Sequence, residues 1–118
     1  MKWFVLILSF SLSCLEVSAQ GDYYERQARS HQNDAAYYVK QAQGYDRDVE
    51  YYMREAAGHL RDAEYYQRQK QYEQARRSLR KARNAIEKAD DNKRKADNAR
   101  SNAKSYMRRA EDALQKAK

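Results

Sequence analysis

The chain has 118 residues, no Pro, three Gly, a single Cys and a net charge of +7. That length bounds it to one domain, and a lone Cys rules out a disulfide framework. The mean hydropathy is −1.23, and Ala, Arg, Lys, Glu and Gln dominate, all good helix formers.

The chain opens with a short basic start, Met1–Lys2, followed by the apolar run WFVLILSFSLSCL from Trp3 to Leu15. Val17 and Ala19 then offer the modest side chains that a signal peptidase accepts. Residues 1–19 read as a secretory signal, cut between Ala19 and Gln20. The run is shorter than the ~20 residues of a spanning helix. Cys14 lies inside it, so the expected mature chain is secreted, extracellular and without a thiol. A small secreted chain without disulfides commonly gains stability by associating with copies of itself.

Residues 20–75 form a Tyr-rich segment. From Asp22 to Ala75 there are 8 Lys and Arg against 10 Asp and Glu, a net of −2. The doublets Tyr23–Tyr24, Tyr37–Tyr38, Tyr51–Tyr52 and Tyr65–Tyr66 recur every fourteen residues, two heptads apart. Ala28, Ala35, Ala42, Val49, Ala56 and Ala63 form one column. Tyr24, His31, Tyr38, Tyr45, Tyr52, His59 and Tyr66 form the other. Steps alternating between four and three residues make this the a/d seam of a coiled coil. The expected self-association seam is Tyr24, Ala28, Tyr38, Ala42, Tyr45, Val49, Tyr52, Ala56 and Tyr66. Beside it runs a column in which Tyr23, Tyr37, Tyr51 and Tyr65 alternate with Ser30, Gly44 and Gly58. A ring on one helix is expected to fill the space opposite a Ser or Gly on its partner.

Residues 76–118 form a basic helix with an Ala seam. They carry 15 Lys and Arg against 6 Asp and Glu, a net of +9. The triplets Ala82, Ala85, Ala89, then Ala96, Ala99, Ala103, then Ala110, Ala113, Ala117 repeat at fourteen, with Asn92 and Tyr106 between them. The register slips near Lys70–Glu73, where a stutter or bend is expected; Asp90–Asn92 is the other candidate break. The fold class expected is all-α: a long amphipathic helix or a helical hairpin with fourteen-residue repeats and coiled-coil-like self-association.

No Ser/His/Asp set, phosphate loop or metal-ligand cluster can be assembled, so neither enzyme activity nor a cofactor is expected. His31 and His59 lie about 42 Å apart along one helix and read as polar seam residues that set register. Arg76, Arg77, Arg80, Lys81, Arg83, Lys93, Arg94 and Lys95 form a candidate polyanion-binding surface. The partners expected are acidic polysaccharide or acidic matrix protein, with a membrane surface as the lesser option and no specific nucleic acid. Tyr23, Tyr37, Tyr51 and Tyr65 are candidates for oxidative cross-linking, by dityrosine coupling or by Lys attack on an oxidised ring.

In its paired Tyr and abundant Lys, the mature chain resembles in composition the Tyr/Lys-rich secreted structural proteins of invertebrate matrices: shell-matrix, byssal, cuticular and silk-like proteins. It departs from repeat adhesives in lacking Pro and from most silks in having little Gly. The resemblance implies a non-enzymatic component of an extracellular matrix, mineralised matrices included. The rival reading is a cationic amphipathic effector acting on membranes or polyanions, as antimicrobial helices do.

Overall fold

The computed structural model describes residues 2–118, and their side chains from Ala19 onward. The chain is all-α: helix α1 spans Lys2–Arg68 and helix α2 spans Tyr72–Ala117. No peptide bond is cis, and no strand occurs, among the described residues. The side chains of residues 1–18 of the expected signal, Cys14 included, lie outside the described residues.

The break between the helices comes at the first of the two expected sites. Lys70 takes φ 59°, the left-handed conformation that ends many helices. The Gln71 N–H donates to the Tyr66 carbonyl at 2.8 Å, and the Lys70 N–H to the Gln67 carbonyl at 3.0 Å. This pair of bonds is the Schellman closure. The Gln71 carbonyl accepts from the Ala75 N–H at 3.0 Å and so starts α2. Glu73 then lies in the first turn, where a negative charge meets the positive end of the helix dipole. The other candidate break does not form. Asp90–Asn92 are helical, and the Asn92 amide donates to the Lys88 carbonyl one turn back at 2.9 Å.

Contacts divide into two compact units. One joins Tyr38–Arg68 of α1 to Tyr72–Ser101 of α2; the other joins α1 up to Tyr37 to Asn102–Lys118. In each, the segments run antiparallel and meet along the seam. In the first unit Ala42, Ala56, Ala63, Ala75, Ala82, Ala85, Ala89, Ala96 and Ala99 are buried. In the second Ala28, Ala110 and Ala113 pack as one cluster, and Ala35 and Ala103 are also buried. Ala dominates because a methyl group lets two helix backbones approach closely. The cost is a core in which each residue removes little apolar area from water, far below the ~1.5–3 kcal/mol of a buried Leu or Val.

Every expected a/d position of α1 from Tyr24 to Tyr66 is buried or half-buried. The same holds for the Ala triplets of α2 with Asn92 and Tyr106. Two buried positions, Ala75 and Ser78, extend the α2 seam back to the turn. Thus the seam residues expected to meet a second copy meet α2 of their own chain.

Candidate functional site

The seam orders two flanks and an outer face. With Ala28 as a and Tyr24 as d, α1 carries Asp48, Glu55 and Asp62 at g. With Ala75 as a and Ser78 as d, α2 carries Lys81, Lys88 and Lys95 at g. Antiparallel pairing sets g beside g, so an acidic row faces a basic one, and charges at such positions select orientation. Lys88 Nζ lies 5.6 Å from the Tyr52 ring centre and Lys95 Nζ 6.0 Å from that of Tyr45. Asp62 and Lys81 line a common depression with His59 and Ser78. Lys81 and Lys95, both expected to bind polyanions, therefore lie on the flank shared with the acids of α1.

The remaining expected polyanion contacts point outward. Arg76, Arg77, Arg80 and Arg83 cluster on the exposed side of the first turns of α2. Glu73 approaches Arg76 at 3.7 Å and Arg77 at 3.9 Å. These groups are largely exposed, so the pairs neutralise the cluster weakly. Arg94 is paired with Asp91 one turn back, and Lys93 is exposed.

The opposite flank, at e, is mostly apolar, with Lys93 and the Asp46–Arg100 pair among its apolar residues. Val39, Met53 and Leu60 of α1 and Tyr72, Leu79 and Ile86 of α2 are each more than a third exposed. Asp46 and Arg100 join the helices on that flank, Arg100 Nη2 donating to Asp46 Oδ2. This hydrogen bond, with the neighbouring Asp46 charge, raises the Arg100 pKa against the opposing effect of burial.

The doublets split as the heptad dictates. Tyr24, Tyr38, Tyr52 and Tyr66 are half-buried, whereas Tyr23, Tyr37, Tyr51 and Tyr65 are 52–58 % exposed. Within a doublet the rings meet edge to face, at 5.3 Å in Tyr51–Tyr52 and 5.5 Å in Tyr65–Tyr66. The expected insertion of a ring opposite Gly is not made by α2. A Cβ at Gly44 or Gly58 would meet nothing within 4 Å. The reason is angular: this column is c, about 130° round the helix from the seam centre at 100° per residue. Gly44 instead floors a shallow depression of about 430 Å³ that Gln41, Tyr45, Arg47 and Asp48 complete.

Both His residues are half-buried on the seam. The His31 ring lies 6.1 Å from that of Tyr106, and its Nδ1 is buried without a hydrogen-bond partner. Arg109 covers the Tyr106 ring at 4.8 Å. No group of three or more His, Cys, Asp or Glu suited to a metal ion occurs among the described residues. No helix among those residues is long and apolar enough to cross a membrane.

Comparison with protein-family models, with curated proteins and with solved structures finds no match.

Proposed function

We propose that the chain is a secreted, non-enzymatic structural protein of an extracellular matrix. Its basic α2 surface binds acidic polymers, and its outer Tyr rings serve as sites of oxidative cross-linking. The observation that carries this reading is the split of the doublets. One ring of each pair packs in the seam while Tyr23, Tyr37, Tyr51 and Tyr65 stand exposed every fourteen residues. A purely structural role for the rings accounts for the inner member of each doublet but not for the outer.

Self-association through the Tyr/Ala seam takes the form of exchange. Because α2 occupies the seam, a second copy reaches it only when the turn at Gln69–Gln71 opens and the two chains swap α2. Swapping a terminal element about a short hinge is a low-cost route to a dimer.

Mass spectrometry of the protein from its natural source tests the reading. A mature start at Gln20, with oxidised or coupled Tyr at the outer positions, is the expected result. An intact soluble chain with unmodified Tyr would sink the cross-linking role.

One observation favours the cationic-effector reading as the second choice. The mostly apolar e flank of Val39, Met53, Leu60, Leu79 and Ile86 lies on the same helices as the Arg cluster of α2. An amphipathic surface of that kind can lie on anionic lipid. Chain-dependent leakage of anionic vesicles, without leakage of neutral ones, would favour that reading over the matrix role.

A further inference from the structure

Between Tyr38 and Arg68, α1 carries five cations: Lys40, Arg47, Arg54, Arg61 and Arg68. All five stand at one heptad position, f, and all are exposed. They recur every seven residues, ~10.5 Å along the helix, on the side away from the seam. None takes part in an ion pair among the described residues. The Arg61 Nε reaches only the Ala57 carbonyl, at 3.5 Å. Glu50 and Glu64 stand in the adjoining column, so the row keeps an excess of positive charge, five cations to two acids.

Next to this row runs the c column, Gly44, Tyr51, Gly58, Tyr65. Its two rings stand ~21 Å apart, propped from within by Tyr52 and Tyr66. Tyr51 is held further by the hydrogen bond its hydroxyl donates to Glu55, 2.8 Å. The gaps at Gly44 and Gly58 are open. A mid-helix Gly weakens a helix relative to Ala, and α2 packing gains nothing from either one. Among the described residues the cation row joins no ion pair, and the two rings meet neighbours on α1 itself.

We infer that this outer face of α1, from Lys40 to Arg68, is a second binding track, separate from the Arg cluster of α2, for an extended acidic polysaccharide. The guanidinium groups take the sulfate or carboxylate groups. Tyr51 and Tyr65 take the C–H faces of sugar rings, and the glycine gaps let the polymer approach the helix. Charge spacing favours this class over nucleic acid. Duplex DNA carries a charge every ~1.7 Å, so a row at ~10.5 Å would leave most phosphates unmatched. A polysaccharide with an acid group on each sugar or pair of sugars offers a sparser row.

This inference rests on the proposed function's view that the chain meets acidic polymers, and it draws on two of the same outer rings, Tyr51 and Tyr65. The test is titration of the full chain with a size-defined sulfated glycosaminoglycan fragment over a range of salt, with circular dichroism confirming helicity. The triple variant R47Q/R54Q/R61Q should bind at least tenfold more weakly. Its log–log salt slope should fall by about 2, following roughly 0.7 per released counterion. R76Q/R77Q/R80Q/R83Q should retain part of the binding, and G44A/G58A should raise the melting temperature while weakening the fragment. If the α1 triple binds like wild type and the α2 quadruple does not bind, the track is wrong and the α2 surface stands. A wild-type chain that does not bind removes both. Tighter binding of single-stranded DNA of equal charge overturns the ligand class.

Discussion

Asp46 and Arg100 lie 54 positions apart in sequence and are hydrogen-bonded across the two helices. Arg100 also donates to Asp97 at 3.1 Å, so it links the helices while anchored on its own. The pair sits among exposed apolar residues at e, with both side chains about half exposed. Exposed pairs of this kind add little stability but help fix register. Asp46→Asn is expected to shift the melting temperature only slightly, and less still at high salt. Its clearer effect should be more exchange between swapped and unswapped forms, read by light scattering after incubation at high concentration. A large melting shift that persists in high salt would contradict this account.

The Ala seam makes the opposite prediction. Ala96 is fully buried, 0 % exposed, so a larger side chain there would have to push the facing helix away. Ala96→Leu should destabilise by about 1–3 kcal/mol through overpacking. Urea unfolding followed by circular dichroism would show a lower midpoint. A stabilised variant would mean that the seam is loose enough to accept Leu, and close helix approach would not hold there.

Lys70 is the one non-Gly residue with positive φ among those described. A side chain in that conformation costs roughly 1–2 kcal/mol that Gly avoids. Lys70→Gly should therefore stabilise the hairpin by up to about 1 kcal/mol, since part of the gain is lost to the freer unfolded chain. Urea midpoints of the two proteins compare directly. No change, or a loss, would show that the Schellman closure does not limit stability.

Much of this fold is legible in the sequence, and for a definite reason. A 3.5-residue period fixes which residues turn inward, so periodicity alone assigns Ala28 through Tyr66 and Ala82 through Ala117 to the seam. Direction does not follow from it, because a rod pairing with a copy and a hairpin pairing with itself use the same a/d residues. The g rows carry that information: Asp48, Glu55 and Asp62 match Lys95, Lys88 and Lys81 only when α2 runs antiparallel. Ala75 and Ser78 continue the register of Ala82 back by one heptad, but Ser78 interrupts the Ala triplets by which that seam is read. The cation row of α1 is hidden when charge is summed along segments. A net of −2 over Asp22–Ala75 conceals five cations gathered at one heptad position. The outer Tyr rings neighbour the seam in sequence, but the angle between c and d carries them outward.

Tyr51 has its pKa raised, chiefly by the hydrogen bond its hydroxyl donates to Glu55 and then by the charge of that carboxylate. The bond favours the neutral phenol, and the carboxylate repels the phenolate. Because the folded state holds this proton more tightly, the small stabilising contribution is present below the ordinary Tyr pKa and fades as pH rises through the folded value. Glu55→Gln removes the charge and should bring the Tyr51 pKa down toward its ordinary value, seen as an earlier phenolate absorbance change in an alkaline titration. Peroxidase treatment near neutral pH, with peptide mapping, should then modify Tyr51 and Tyr65 ahead of Tyr52 and Tyr66, because the inner rings are half-buried in the seam. The Gln variant should oxidise faster at Tyr51 and unchanged at Tyr65, which has no such carboxylate bond. Equal labelling of inner and outer rings in the folded protein would show that the seam opens as fast as the oxidant acts. The outer column would then have no privileged chemistry.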